Sequence, residues 1–227
     1  MTQHILFDLD NTLWDFDSNS HLAKVDMFHH FNLDTIFSSF DEFLSIYNTH
    51  NTHLWKEYAA GRTDKENVSV GRFYLSMLDK GVDDYAKAKE MALFFLSNTS
   101  QRTTLKPNAL STLEYLSHKY QLHIITNGFV EVQYKKIALS GIGNYTQHVF
   151  ISDEIGALKP AKHFFDVVIR RLNTSPDKCI IVGDSIESDI EGGINYNIKA
   201  IYYNPHNNTC PHSVTSISDL SELTLIL

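Results

Sequence analysis

The later part of the chain alternates short apolar runs with helical patterns, and this alternation limits the folds open to it. The runs LHIIT, HVFIS, KCIIVG and IKAIYY are separated by helical patterns over 130–139, 161–172 and 187–195, and a helix over 108–119 precedes them. Short runs of β-branched residues between helices are typical of a parallel sheet covered on both faces. HILFDL at the N-terminus fits the same sheet. The sequence therefore predicts an α/β fold with a doubly wound parallel sheet.

Residues 16–97 lack this alternation and predict helices only. FDEFLSIYNTHNTHLWKEYAAG has apolar residues at helical spacing and stops at Gly61, and in TDKE Thr63 and Glu66 form a capping-box pattern. Short connections favour an antiparallel bundle. We expect a core domain of 1–15 and 98–227, with a helical domain of 16–97 inserted after the first strand. The predicted buried positions of these helices include Leu22, Phe28, Phe43, Tyr47, Val68, Leu78, Tyr85, Ala88, Ala92 and Phe95.

The composition and charge of the chain limit the kinds of partner that it is expected to bind. The 227-residue chain has a formal net charge of -8, which argues against a nucleic-acid polymer as partner. No run of about 18 apolar residues predicts a membrane span, and the N-terminus lacks the pattern of a signal peptide. Cys179 and Cys210 form neither a zinc motif nor a redox pair, so a reduced cytoplasm is expected. None of these features assigns an oligomeric state.

Polar residues follow the predicted strands at the point where each strand ends. The carboxyl ends of parallel strands form one ligand-binding crevice, so these side chains are expected to meet there. Carboxylates that lie close together repel each other unless a cation lies between them, and such oxygen ligands suit Mg²⁺. Hydroxyl, backbone N–H and lysine groups suit a phosphoryl group. The candidates are Asp8, Asp10, Thr126, Asn127, Lys159, Asp184 and Asp189.

The segments DLDNT, TNG, KP and GDSIESD, in this order, resemble the four motifs of the haloacid dehalogenase-like (HAD) hydrolase superfamily. The helical insertion resembles the type-1 cap of that superfamily. The resemblance implies that Asp8 is a nucleophile that forms an aspartyl-phosphate and that Asp10 is the general acid and base. It also implies a Mg²⁺ ion and a bound phosphate group. The implied metal ligands are Asp8, the backbone carbonyl of Asp10, and Asp184, and the implied phosphate ligands are Thr126, Asn127 and Lys159.

Three positions around these motifs need separate interpretation. Asn11 and Asn197 stand where many members of the superfamily have glycine, and asparagine also tolerates left-handed backbone angles. For Asp189 two interpretations stay open. It orients Lys159 or a metal-bound water, or it is only a first-turn acid favoured by the helix dipole.

An acid at position 10 favours a phosphomonoester hydrolase, because an alkoxide leaving group needs a proton. The stretch LWKEYAAGRTDKENVSVGRFY resembles the subgroup of nucleotidases that act on pyrimidine nucleoside monophosphates. The expected partner is thus a small phosphorylated substrate, with Trp14, Trp55 and Tyr58 either stacking on its base or packing in the bundle core. The alternatives are a phosphatase or phosphomutase acting on sugar phosphates or another small metabolite, a non-catalytic phosphate-binding protein, and a haloacid dehalogenase.

Overall fold

A computed structural model of the protein describes residues 2–227, which contain one parallel sheet with the strand order β3-β2-β1-β4-β5-β6. The strands are β1 (His4–Phe7), β2 (Gln121–Thr126), β3 (His148–Ile151), β4 (Cys179–Gly183), β5 (Lys199–Tyr203) and β6 (Thr215–Ile217). All neighbouring strands are parallel. The predicted α/β fold is confirmed, with the short edge strand β6 as an addition.

The helices of the described residues fall into two groups along the chain. The first group is α1 (Phe16–His30), α2 (Phe40–Ala59), α3 (Arg72–Leu78) and α4 (Tyr85–Ser100). The second is α5 (Ala109–Ser117), α6 (Val130–Ser140), α7 (Ser152–Ile155), α8 (Lys162–Leu172), α9 (Gly192–Asn195) and α10 (Leu223–Ile226). Within residues 2–227, none of these helices has the length and apolar character needed to span a membrane.

The chain forms two compact units. One contains the described residues up to Asp17 together with Ser100–Leu227, and the other is Ser18–Thr99. In the first unit, successive residues of β1 pack into different cores, since Ile5 and Phe7 join one hydrophobic cluster and Leu6 joins another. Alternating side chains of a strand point to opposite faces, so both faces of the sheet are buried. This is why most residues of the central strands are apolar.

The core of the second unit is a cluster of aromatic and aliphatic side chains from its four helices. The predicted buried positions of this unit are confirmed for Phe28, Phe43, Tyr47, Val68, Ala88, Ala92 and Phe95. They are wrong for Leu22, Leu78 and Tyr85, whose side chains are more than 40% exposed. In α1 the buried stripe includes Ala23 and Met27. The prediction of Leu22 is therefore displaced by one residue, because it chose the larger side chain next to the buried Ala23.

The predicted N-terminal cap of the helical run that follows Gly61 is also displaced by one residue. The backbone N–H of Asn67 donates to Oδ1 of Asp64 at 2.8 Å, and the helical run begins directly after Asp64. Aspartate caps a helix N-terminus as well as threonine does. Asp64 is therefore the capping residue, and the assignment of that role to Thr63 was wrong.

Candidate active site

The residues predicted from the strand ends lie at the carboxyl edge of the central strands. Asp8 directly follows β1, Asp184 directly follows β4, and Thr126 is the last residue of β2. β1 and β4 are paired neighbours, with Phe7 opposite Val182. The strand order reverses between these two strands, and open α/β sheets bind ligands at such a point.

Lys159 joins two of the predicted carboxylates. Its Nζ donates to Oδ1 of Asp8 at 2.7 Å, to Oδ1 of Asp189 at 2.6 Å and to the carbonyl oxygen of Ile125 at 3.1 Å. All three charged residues are buried, and their mutual pairing offsets the cost of removing them from water. Of the two interpretations left open for Asp189, the structure shows contact with Lys159.

Three carboxylates gather beside this lysine. Asp8, Asp184 and Asp189 offer oxygen atoms that lie within 4.8 Å of one another. Oδ1 of Asp184 accepts from the Thr12 hydroxyl at 3.0 Å, and Oδ2 of Asp189 accepts from the Ser185 N–H at 3.1 Å. Both oxygens of Asp189 are therefore engaged, whereas these bonds use one oxygen each of Asp8 and Asp184. Clustered carboxylate oxygens are the donor set that Mg²⁺ prefers, so the residues fit this ion.

The pKa values of the cluster reflect a shortage of positive charge. Burial raises the pKa of Asp8 well above that of an exposed aspartate, and Asp189 and Asp184 raise it further against the opposing effect of Lys159. Burial also raises the pKa of Asp184 to about 6, with a contribution from the charge of Asp189. Burial alone would lower the pKa of Lys159, but Asp189 and Asp8 raise it above its usual value. A bound cation would relieve the repulsion among the carboxylates.

Asn127 fastens the backbone at Lys159. Its Nδ2 donates to the carbonyl oxygen of Lys159 at 2.8 Å, and the Lys159 N–H donates to Oδ1 of Asn127 at 2.8 Å. The preceding residue, Thr126, is buried, and its hydroxyl accepts from Nε2 of Gln133 at 2.6 Å. The residues predicted to bind phosphate thus lie in one connected group around the lysine.

The side chain of Asp10 is outside the group of three carboxylates. Its Oδ1 accepts from Nζ of Lys136 at 2.7 Å, and its Oδ2 accepts from Nε2 of Gln133 at 2.8 Å. The turn after β1 brings Asp10 close to Trp14, because the Asn11 N–H donates to the Trp14 carbonyl oxygen at 2.7 Å. Asn11 has φ 65°, which is the left-handed conformation expected for it.

Asn197, the other asparagine expected to tolerate left-handed angles, has φ 59°. It follows α9, and its N–H donates to the carbonyl oxygen of Ile194 at 3.0 Å. The interpretation of both asparagines is confirmed.

Gln133 and Lys136 are site residues that the sequence analysis missed. Both lie on α6, directly after the TNG segment, and both belong to its buried stripe with Val132 and Ile137. Polar residues at core-facing positions of a helix need a partner, because burying an unpaired polar group is costly. That pattern was the available signal for a polar network behind the strand ends.

Of the two interpretations of Trp14, stacking on a substrate base is wrong, and its packing is in the core of the sheet unit and not in that of the helical bundle. Trp14 is fully buried, its Nε1 donates to the carbonyl oxygen of Arg102 at 3.2 Å, and Nζ of Lys136 lies 4.2 Å from the centroid of its ring. Trp55 and Tyr58 are partly exposed, with their rings edge to face at 5.8 Å, and their role stays a prediction.

Two glycines leave the space that this arrangement needs. A Cβ atom added to Gly128 would overlap the side chain of Gln133, and one added to Gly183 would overlap the carboxylate of Asp189. At both positions a neighbouring polar side chain of the site passes where a Cβ would stand. Any larger residue there would displace Gln133 or Asp189 from its hydrogen bonds.

Comparison with known proteins identifies the family of the chain. Residues 2–197 match the family model described as haloacid dehalogenase-like hydrolase. The chain is 30% identical to the pyrimidine 5'-nucleotidase YjjG of Escherichia coli, over 98% of this chain and 96% of that protein. It is 29% identical to the pyrimidine 5'-nucleotidase PynA of Streptococcus pneumoniae, over 89% and 84%. The magnesium-bound crystal structure of the HAD-hydrolase YfnB of Bacillus subtilis superimposes with a TM-score of 0.89 at 27% identity, covering 100% of this chain and 98% of YfnB.

Proposed function

Because this chain belongs to the haloacid dehalogenase-like hydrolases, we propose that it is a Mg²⁺-dependent phosphomonoester hydrolase that acts through an aspartyl-phosphate. The observation that carries the proposal is the Lys159 bridge between Asp8 and Asp189, beside the carboxylate of Asp184. A carboxylate at a strand end, fixed by a buried lysine within a cation-binding cluster, is equipped to attack a phosphoryl group.

In the first step, a carboxylate oxygen of Asp8 attacks phosphorus, and the bond from phosphorus to the leaving oxygen breaks. Asp10 gives its proton to that oxygen, so the leaving group departs as a neutral alcohol. Lys159 is paired with Asp8 and carries a fixed positive charge toward the transferring group. The Thr126 hydroxyl and the backbone at Asn127 supply further donors to the phosphoryl oxygens.

In the second step, water attacks the phosphorus of the aspartyl-phosphate, and Asp10 takes the proton that the water loses. The bond between Asp8 and phosphorus breaks, which releases inorganic phosphate and restores both aspartates. Asp10 thus serves as acid and then as base in one cycle.

Asp8 and Asp184 are the side chains that would hold Mg²⁺, together with the backbone carbonyl of Asp10. Each of the two carboxylates has an oxygen outside its hydrogen bonds to Lys159 or Thr12, whereas Asp189 uses both of its oxygens. When bound, the ion neutralises charge on the transferring phosphoryl group. Asp189 then keeps Lys159 in place.

For the substrate we propose pyrimidine nucleoside 5'-monophosphates, with selection of the leaving group by residues 16–97. The support is the identity to YjjG and PynA, which extends over most of each chain. The same proposal makes the partner a small phosphorylated metabolite in the cytoplasm. The two free cysteines agree with that setting.

The test is a turnover screen of the purified protein with Mg²⁺. The panel contains nucleoside 5'-monophosphates, hexose phosphates, pyrophosphate, p-nitrophenyl phosphate and a 2-haloacid. We expect phosphate release, with the highest kcat/KM for pyrimidine nucleotides, and no halide release. A preference for hexose phosphates would refute the nucleotide assignment and leave the phosphatase assignment standing. Halide release without phosphatase activity would refute both.

A further inference from the structure

We propose that Lys136 and Gln133 position Asp10 for its two proton transfers, an inference that rests on the proposed function. The two residues hold the carboxylate from separate sides. Lys136 donates to one oxygen of Asp10 at 2.7 Å, and Gln133 donates to the other at 2.8 Å. Since each oxygen has its own donor, the plane of the carboxylate is fixed as well as its position.

Lys136 is itself enclosed by its neighbours. Its side chain is 3% exposed, and Nζ lies 4.2 Å from the ring centroid of Trp14 and 5.2 Å from that of Phe16. Trp14 is in turn held by its bond to the Arg102 carbonyl oxygen. A lysine in water is a flexible point charge, whereas this ammonium group is confined between an aromatic ring and the carboxylate. It therefore acts as a fixed anchor for Asp10.

Gln133 connects Asp10 to the predicted phosphate ligand Thr126. One NH₂ group serves both, because Nε2 lies 2.8 Å from Oδ2 of Asp10 and 2.6 Å from the Thr126 hydroxyl. The carboxylate determines the amide orientation, since the opposite one would face two oxygens toward each other. The Thr126 hydroxyl is left with its own hydrogen to donate to a phosphoryl oxygen.

The buried amide of Gln133 lowers the stability of the fold. Its Oε1 is buried and has no hydrogen-bond partner within residues 2–227. A buried acceptor without a partner is destabilising, so the side chain is held here by its NH₂ group. Gly128 provides the room for that side chain.

This arrangement matters because a general acid must lie within hydrogen-bond reach of the leaving oxygen. A displacement of about 1 Å in such a group costs on the order of 100-fold in rate. Without Lys136 or Gln133, Asp10 loses one of its two hydrogen bonds and spends less time in the productive geometry. The loss falls on the step that needs the proton and is smaller where the leaving group needs none.

The experiment compares kcat/KM for phenyl phosphate and p-nitrophenyl phosphate, since this ratio reports the first chemical step and phenolate is the more basic leaving group. The variants are Asp10→Asn, Lys136→Met, Lys136→Arg, Gln133→Leu and the double variant Asp10→Asn with Lys136→Met. Lys135→Met, on the same helix, is the control for the loss of one positive charge. Thermal unfolding checks that every variant folds, and Gln133→Leu provides an independent test if Lys136→Met does not.

We expect Lys136→Met and Gln133→Leu to lower kcat/KM for phenyl phosphate by about 10- to 100-fold, with a smaller loss on p-nitrophenyl phosphate. The loss in Lys136→Arg is smaller than the loss in Lys136→Met, and Lys135→Met has no effect. In the Asp10→Asn background, Lys136→Met adds at most about a twofold loss, because the two residues act as one unit.

Equal losses on both substrates, or a full additional loss in the double variant, would show that Lys136 and Gln133 do not act through proton transfer by Asp10, and would overturn the inference alone. A third result separates it from the proposed function. If Asp10→Asn itself reduces both substrates equally, the role of Asp10 as leaving-group acid fails, and this inference fails with it.

Discussion

A group of histidines on three neighbouring strands makes the stability of the sheet unit depend on pH. Nδ1 of His4 lies 3.1 Å from Nε2 of His123, and the rings of His123 and His148 stack at 5.4 Å. His123 is fully buried. Burial, with the nearby His4 and His148, lowers the pKa of His123 from 6.5 to about 3. Burial also lowers the pKa of His4.

The direction of the effect follows from these pKa values. As the pH falls, His123 binds a proton near pH 6.5 in the unfolded chain but only near pH 3 in the folded chain. The stability associated with neutral His123 is therefore complete above pH 6.5 and is lost progressively as the pH falls toward 3. From pH 6.5 down to about pH 5, an interval of roughly 1.5 pH units, the free energy of unfolding falls by about 2 kcal/mol.

The assay is urea unfolding at about pH 7.5 and about pH 5. A Trp55→Phe background leaves Trp14 as the only tryptophan, so that fluorescence reports on the sheet unit. Replacing His123 by Leu should reduce the difference in unfolding free energy between the two pH values by about 2 kcal/mol. Titrating groups that do not contact His123 are common to both proteins and cancel. His118→Leu, at an exposed position, is the control. An unchanged difference in His123→Leu would refute the reasoning.

Three further results are expected. Asp8→Asn abolishes turnover, because an amide cannot attack phosphorus, and substantial remaining activity would contradict the nucleophile assignment. The same substitution does not lower the melting temperature measured in EDTA, because it relieves the repulsion with Asp184 and Asp189. EDTA removes activity and added Mg²⁺ restores it, and full turnover in chelated enzyme would contradict the metal requirement. Gly183→Ala destabilises the fold by about 1–3 kcal/mol in urea unfolding, because its Cβ overlaps the Asp189 carboxylate, whereas Gly143→Ala, which meets no such atom, is the milder control.

Much of the site could be predicted because it follows from topology. Asp8, Thr126 and Asp184 each stand at the end of a strand in a parallel sheet, and strand ends can be read from short apolar runs. Parallel pairing then brings residues that are far apart in the chain to one edge. The contact between Lys159 and Asp189 needed the motif resemblance as well, because both follow their strands by several residues.

The network behind Asp10 could not be predicted in the same way. The long side chains of Lys136 and Gln133 reach their partners from the helix after β2, and the destination of a long side chain depends on packing that the chain pattern does not describe. Trp14 had two open interpretations for a related reason. An aromatic residue next to a motif is equally consistent with a substrate contact and with a core position, and only its burial decides.

The exposed positions of Leu22 and Leu78 show a different limit. Helical periodicity gives the width of a buried stripe, but small residues such as Ala23 carry little weight in placing its centre. An error of one residue rotates the stripe by about 100° and moves a leucine to the surface. The helices themselves were still recognised, because their existence depends on the repeat and not on its exact phase.

The side chain of Asn127 imitates a peptide group. Its C=O and N–H₂ bind the N–H and C=O of Lys159 with the pairing that a neighbouring strand would use, one residue beyond the end of β2. Few residues can make this imitation. Aspartate has the acceptor but not the donor and would face the Lys159 carbonyl with a second oxygen, while serine is too short for both bonds. The backbone that carries the lysine is thus docked by a side chain acting as main chain, which makes position 127 far more restricted chemically than its place in a loop suggests.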